Sequence, residues 1–294
     1  MSSGHTVLNQ RNGFETNATI ASKLREAAAF LEAQEASPFR SLAYLKAADT
    51  IERWGEDISV IAKSGVKALD AVPHIGVGIG TAILEILSTG QWSQLERLRG
   101  GLKPEAVFQT ISGIGPVLAR EIHEYLHVDT LEALETAAYD GRLAQVPGIG
   151  RKRLAIIRNA LNDILSRRGT GRVTRLSPTL PPVAHLLDVD LEYRTKAKEG
   201  RLRLIAPKRL NPGGKAWLPV LHTERERWHF TVLYSNTARA HQLGKTNDWV
   251  IIFYGTDSEP EGQCTVVTET SGVMKGQRVV RGREAECKQM VGSG

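Results

Sequence analysis

The chain has 294 residues, 41% of them hydrophobic and 24% charged, a balance that supports apolar cores and excludes a disordered tail. Two cysteines, Cys264 and Cys287, exclude a disulfide scaffold and a four-cysteine zinc site. The formal net charge is +6, and no apolar run approaches the roughly 20 residues of a membrane helix. A cytoplasmic protein of at least two domains is therefore expected.

Residues 1–14 lack the apolar stretch of a secretory signal and are expected to be a flexible N-terminus. From residue 15 the pattern is helical. Ile20, Leu24, Ala27, Ala28 and Leu31 recur at helical spacing, with Asn17 as the expected cap. Leu42, Leu45, Ala48, Ile51 and Trp54 repeat that spacing after Ser37-Pro38, which starts a second helix. Helices separated by short Gly-containing turns continue to residue 168. The stretch 169–183, GTGRVTRLSPTLPP and the residue after it, reads as a linker.

Beyond it, LDVDLEY (187–193), RLRLIA (201–206), WLPVLHTE (217–224), WHFTVLY (228–234), DWVIIFY (248–254), QCTVVTE (263–269) and QRVVRG (277–282) read as strands. A short helix is expected to open at Ser235-Asn236-Thr237 and to stop at Gly244. The fold class is thus multidomain. An all-α domain (15–168) precedes a smaller β-rich α+β domain (184–294).

Acidic and basic residues are equal in number over 1–168, so the net positive charge lies beyond that point. The basic residues of the helical part nevertheless bunch at its end, as Arg151, Lys152, Arg153, Arg158, Arg167 and Arg168, and run on into Arg172 and Arg175. Such a stripe suits an oriented polyanion contact.

A repeat strengthens that reading. Val72-Pro73-His74-Ile75-Gly76-Val77-Gly78, Ile111-Ser112-Gly113-Ile114-Gly115-Pro116 and Val146-Pro147-Gly148-Ile149-Gly150 each separate two helical stretches. Glycine lets backbone approach a ligand, and the helix that follows begins with free N–H groups and a positive dipole end. The combination binds a phosphate without reading a base. The expected DNA contacts are Gly76, Gly78, Gly113, Gly115, Gly148 and Gly150. Arg120, Arg151, Lys152 and Arg153 add cationic side chains.

These hairpins are helix-hairpin-helix motifs, and residues 15–168 resemble the N-terminal region of family X DNA polymerases of the bacterial type. The resemblance is carried by Asn17-Ala18-Thr19-Ile20-Ala21, Pro38-Phe39-Arg40-Ser41-Leu42-Ala43-Tyr44, Ser88-Thr89-Gly90, Asp129-Thr130-Leu131-Glu132-Ala133-Leu134 and Gly141-Arg142-Leu143. It implies DNA gripped on either side of a nick or gap. It also implies a monovalent cation, Na⁺ or K⁺, on hairpin carbonyls near His74, Ser112 and Pro147, and no other cofactor is expected.

Two departures limit the resemblance. Lyase members form a Schiff base with a lysine after the first hairpin, and here the matching positions are Gly78 and Ala82. Lys46, Lys63 and Lys67 lie nearby and read as solvated. A polymerase palm is also missing. Asp188-Val189-Asp190 would place two carboxylates on one strand face, but no Gly-Ser helix start precedes them and no third carboxylate strand is evident.

The β-rich domain is assigned to no family from its sequence. His222, His229 and His241, with Cys264 and Cys287, lack the paired spacing of a zinc site. Arg281 and Arg283 would share a strand face beside Arg278, Glu284 and Glu286 and could clamp a phosphate, or form an ion-paired edge strand. Trp217, Trp228, Trp249 and Tyr254 read as core. The expectation is a sequence-independent DNA-binding protein of repair or nucleoid maintenance, without polymerase or lyase activity, on duplex, nicked or gapped DNA. One alternative is a nuclease-like enzyme using His222, His229, Asp248, Glu269 and Arg281. Another is an adaptor that holds a repair protein through 184–294.

Overall fold

In the computed structural model the described residues are 3–101, 104–165, 180–256 and 259–292. They form two compact units.

The first unit is built mainly on residues up to Leu98 and is helical. α1 (Ser3–Ala33) and α2 (Pro38–Glu52) pack along one another through Ile20, Leu24, Ala27, Ala28, Leu31, Ala47, Ala48 and Ile51, all buried. The alanines let the two backbones come close. α1 ends in a Schellman motif: Glu35 takes φ 59°, its N–H reaches Glu32 O at 3.0 Å, and Ala36 N–H reaches Leu31 O at 2.9 Å. Ser37 then stands at the N-cap position of α2 without a side-chain cap, with Pro38 in the first turn, where the second helix was expected to start.

Asn17 corrects the expectation placed on it. α1 already begins at Ser3, so Asn17 does not stand at its start. Asn17 lies buried in mid-helix and pins the chain after α2, its Nδ2 donating to Glu56 O at 2.8 Å and its Oδ1 accepting from Ile58 N at 2.9 Å. Four shorter elements complete the unit: α3 (Ile58–Ala62), α4 (Val66–Asp70), α5 (Val77–Thr89) and α6 (Ser93–Leu98).

The second unit joins residues 99–164 to the region from 180 onward. The compact units therefore divide near Leu98. The expected linker lies outside the described residues as far as 179. The helical part contains α7 (Pro104–Phe108), α8 (Pro116–Leu126), α9 (Leu131–Tyr139), a 3₁₀ turn (Leu143–Gln145) and α10 (Arg151–Leu165). α11 (Val183–Lys198) then leads into six strands: β1 (Arg203–Ile205), β2 (Leu218–Arg225), β3 (Trp228–Tyr234), β4 (Val250–Thr256), β5 (Glu259–Thr268) and β6 (Arg278–Val280). They form one antiparallel sheet in sequence order, with registers such as Val220↔Leu233 and Thr231↔Phe253. α12 (Ala238–Gln242) is capped by Thr237 and followed by Gly244 at φ 63°, where the short helix was expected.

Segment 187–193 is a helix, not a strand. Val183, Leu186, Val189 and Tyr193 share one helical face and are buried against the sheet. Strand alternation would have turned Asp190 outward and Leu191 inward. Instead Asp190 is 1% exposed and Leu191 56%. Burial of a carboxylate requires charge partners. Asp190 has Arg278, with Nη2 at 2.6 Å and Nε at 3.0 Å, and Arg194 at 3.0 Å. Tyr193 fixes α11 further, donating to Pro219 O and accepting from Tyr234 N, both at 2.9 Å.

The C-terminal segment departs from expectation too. β6 ends at Val280, Arg281 and Gly282 turn, and α13 (Glu284–Gly292) follows. Arg281 and Arg283 therefore share no strand face. Arg281 pairs with Glu269 at 2.7 Å, while Arg283 pairs with Glu286 at 2.5 Å and donates to Pro181 O at 2.6 Å.

Candidate nucleic-acid interface

The three hairpins share one backbone geometry. Ile75 N–H reaches Val72 O, Ile114 N–H reaches Ile111 O, and Ile149 N–H reaches Val146 O, each at 3.1 Å. The residue before each isoleucine has positive φ: His74 at 64°, Gly113 at 91° and Gly148 at 84°. Pro73 and Pro147 supply the fixed φ of the preceding position, and the pattern is that of a type II turn. Each isoleucine is buried and anchors its turn. His74 bears a Cβ where the other two turns have glycine, and it is held in the left-handed region.

After each isoleucine a glycine opens a helix. Gly76 and Gly115 sit at the N-caps of α5 and α8 with no side-chain cap, and their carbonyls accept the first helical bonds from Gly80 and Ala119 at 2.8 and 2.9 Å. Gly150 does the same for α10, accepting from Leu154 at 3.0 Å. The first N–H groups of these helices therefore have no side-chain cap at Gly76 and Gly115, which suits an anion. A Cβ at Gly78, Gly115 or Gly150 would meet nothing within 4 Å, so the backbone there is open to approach.

Other glycines serve packing. A Cβ on Gly80 would lie 3.0 Å from Val66 Cγ2, so this glycine sets the closeness of α4 and α5. At Gly113 a Cβ would lie 3.2 Å from Ile156 Cγ2, because the second turn abuts α10.

The hairpins differ in charge. α5 bears no lysine; Gly78 is exposed, whereas Ala82 is buried in the core. Lys46, Lys63 and Lys67 are exposed. Arg120 is exposed on α8, and Arg151, Lys152 and Arg153 are exposed on the first turn of α10. Arg153 also bends back to donate to Gly148 O at 2.5 Å, placing a guanidinium on a carbonyl of the third turn. Farther along α10, Arg158 donates to Ala138 O at 2.8 Å and lies 5.1 Å from the Tyr139 ring centre, fastening α10 to α9.

The alternative enzyme residues fall into separate local pairs. His222 Nδ1 lies 3.1 Å from Thr231 Oγ1, and His229 Nδ1 lies 3.1 Å from Glu224 Oε1. Asp248 accepts from Arg278 Nη1 and Thr268 Oγ1, both at 2.6 Å, and Glu269 accepts from Arg281. Burial works against the Asp248 carboxylate, but Thr268, Lys245 and Arg278 outweigh it and hold the carboxyl below its ordinary value. Asp188 and Asp190 lie on α11, each facing an arginine, so they do not form the strand pair of a palm.

Sequence reasoning missed a cluster joining the second and third hairpins to the sheet. His123, on α8, lies between Glu105 of α7 and Asp129, both at 2.9 Å. Arg209, after β1, pairs with both Glu105 and Glu124. Among the described residues Glu105, His123 and Glu124 are the group whose donor atoms converge as metal ligands would. The Arg209 guanidinium already supplies that cluster's positive charge. Nearby, Gln263 donates to His127 O and accepts from Asp129 N, both at 2.8 Å, and the His127 ring lies 4.3 Å from that of Trp249. No sequence signal links residues this far apart in the chain.

Comparison with known proteins agrees with the hairpin geometry. Residues 15–92 match the family model described as Helix-hairpin-helix domain, and residues 106–163 match that of the SAM-like Helix-hairpin-helix tandem. No curated protein matches the chain. The N-terminal region thus carries two helix-hairpin-helix domains, a kind of domain that commonly binds nucleic acid. No helix among the described residues is long and apolar enough to cross a membrane.

Proposed function

We propose that the protein binds DNA independently of sequence, its hairpins holding phosphates of a duplex, nicked or gapped substrate in repair or nucleoid maintenance. The observation that carries this reading is the turn geometry repeated three times, each turn leading into a glycine-opened helix start. Backbone N–H groups contact phosphate oxygens without base information. Arg120, Arg151, Lys152 and Arg153 supply the cations whose phosphate contacts release counterions. The place of action would be the nucleoid in the cytoplasm.

A monovalent cation on carbonyls near His74 and Ser112 would add positive charge beneath the phosphate. At the third turn, near Pro147, the Arg153 guanidinium on Gly148 O takes that place. α5 has no amine for Schiff-base chemistry, and the carboxylates of α11 are committed to arginines, so the reading is of binding without lyase or polymerase action.

The test is full-length protein with end-labelled intact, nicked, gapped and abasic duplexes, in Mg²⁺, Mn²⁺ or EDTA, run in parallel on native and denaturing gels. A native shift with intact strands is expected. Metal-dependent cleavage would overturn the non-enzymatic reading, and absence of any shift would overturn DNA binding.

A further inference from the structure

The second unit also holds a pocket of about 510 Å³ beside the end of α11. Its wall includes Arg194, Lys198, Trp217, Pro219, Tyr234 and Asn247. The volume is that of a small-molecule site. Among the described residues no Asp or Glu lines it.

Four features point to one kind of ligand. Arg194 and Lys198 stand at i and i+4 on α11 and so share a face. Arg194 uses Nε for its bond to Asp190, while neither Nη group has a hydrogen-bond partner among the described residues. Lys198 is exposed and has no ion pair among them. This end of the pocket is therefore cationic and available.

Trp217, partly buried, provides an aromatic wall and is braced edge-on by His241, with ring centres 5.9 Å apart at 78°. Tyr234 lines the pocket, and its hydroxyl, which is accessible, has no hydrogen-bond partner among the described residues. An accessible hydroxyl at the wall can donate to or accept from a bound molecule. Asn247 is exposed and offers both a donor and an acceptor.

We propose that this pocket is a nucleotide subsite, taking one unstacked base against Trp217 with its phosphate on Arg194 and Lys198. Stacking on an aromatic face combined with a nearby cation is how proteins hold single-stranded nucleic acid. The site stands on its own residues; that the nucleotide belongs to a DNA strand rests on the function proposed above.

The probe is a 5′-phosphorylated trinucleotide with 2-aminopurine at its centre, titrated into the full-length protein while fluorescence is followed. Saturable quenching is expected, and Trp217→Leu and Lys198→Glu are each expected to weaken it about tenfold. Lys198 is exposed, so its variant tests the site even if the tryptophan variant does not fold. The triple variant R151E/K152E/R153E is expected to quench like wild type while losing duplex affinity, which separates failure of this site from failure of the hairpins. Tighter binding of the trinucleotide than of 2-aminopurine deoxyriboside monophosphate assigns a strand as the source; equal binding assigns a free nucleotide. Absence of saturable quenching in wild type, or wild-type affinity in both pocket variants, would overturn the proposal.

Discussion

His123 and Asp129 are joined by an Nε2 to Oδ1 contact of 2.9 Å, and the other ring nitrogen of the same histidine faces Glu105 at 2.9 Å. Burial alone would suppress a charged imidazole. The hydrogen bonds to Asp129 and Glu105 outweigh it and raise the His123 pKa to about 9. Four residues on, His127 has no carboxylate partner among the described residues. Burial, helped by the charges of His123, Arg239 and Arg281, lowers its pKa to about 3. One histidine is therefore cationic and the next neutral at pH 7.

This pair sets both limbs of the stability profile. The folded protein retains the His123 proton where the unfolded chain loses it. That contribution is complete below pH 6.5 and is lost as pH rises through about 9. His127 has the opposite sign: its contribution is complete above pH 6.5 and is lost as pH falls toward about 3. Glu105 adds to the acid limb. Burial opposes its charge, but His123 and Arg209 outweigh burial and lower its pKa to about 2, so its contribution fades below pH 4.5. Urea unfolding across pH is expected to show maximal stability near neutrality. His127→Gln should flatten the acid limb between pH 6.5 and 4.5, and His123→Gln the alkaline limb.

The Asp190–Arg278 pair makes a second prediction. The Asp190 and Arg278 side chains are 1% and 16% exposed, and among the described residues removing Arg278 leaves buried Asp190 with Arg194 alone and Asp248 with Lys245 as its only cation. Arg278→Met should destabilise the protein by about 3–5 kcal/mol. The double variant D190L/R278M should recover part of that loss, because the buried Asp190 charge is gone while Asp248 still lacks its arginine. A urea midpoint series on the single and double variants measures both effects.

The glycine and histidine positions of the hairpins should respond differently. His74→Gly relieves a left-handed side-chain conformation and should stabilise by about 1 kcal/mol. Gly113→Ala combines positive φ with a tight approach to Ile156 and should destabilise by about 1–3 kcal/mol. Gly78→Ala, in a helix and facing open space, should stabilise by about 0.5–1 kcal/mol while weakening DNA binding by obstructing the backbone. Thermal melts paired with duplex titrations separate the two effects.

The hairpins were legible because their chemistry is local. A Pro or Ser, a residue of positive φ, an isoleucine and a glycine fall within five positions and dictate the turn. Six of the seven expected strands were legible for a similar reason, through their bounded apolar runs. LDVDLEY misled because alternation over seven residues coincided with a helical face, and one of the two arginines that permit Asp190 to be buried lies 88 residues away. The cluster around His123 was hidden in the same way. Its members come from α7, α8, the following loop and the segment after β1, and only the tertiary fold brings their charges together. Composition marked the change from helical to strand-like chain near 169–183, but packing divides the molecule near Leu98, since the second and third hairpins bury polar and aromatic groups against the sheet.

The central claim is that the hairpins hold phosphates. Its most direct test is the salt dependence of duplex affinity for wild type and for R151E/K152E/R153E, measured by fluorescence anisotropy on two duplexes of unrelated sequence. For wild type, the logarithm of affinity should fall linearly with the logarithm of salt concentration. In the triple variant the slope should lessen by about 0.9 for each phosphate that is no longer neutralised, equally on both sequences. An unchanged slope and affinity in the triple variant, or a weakening confined to one sequence, would contradict the account.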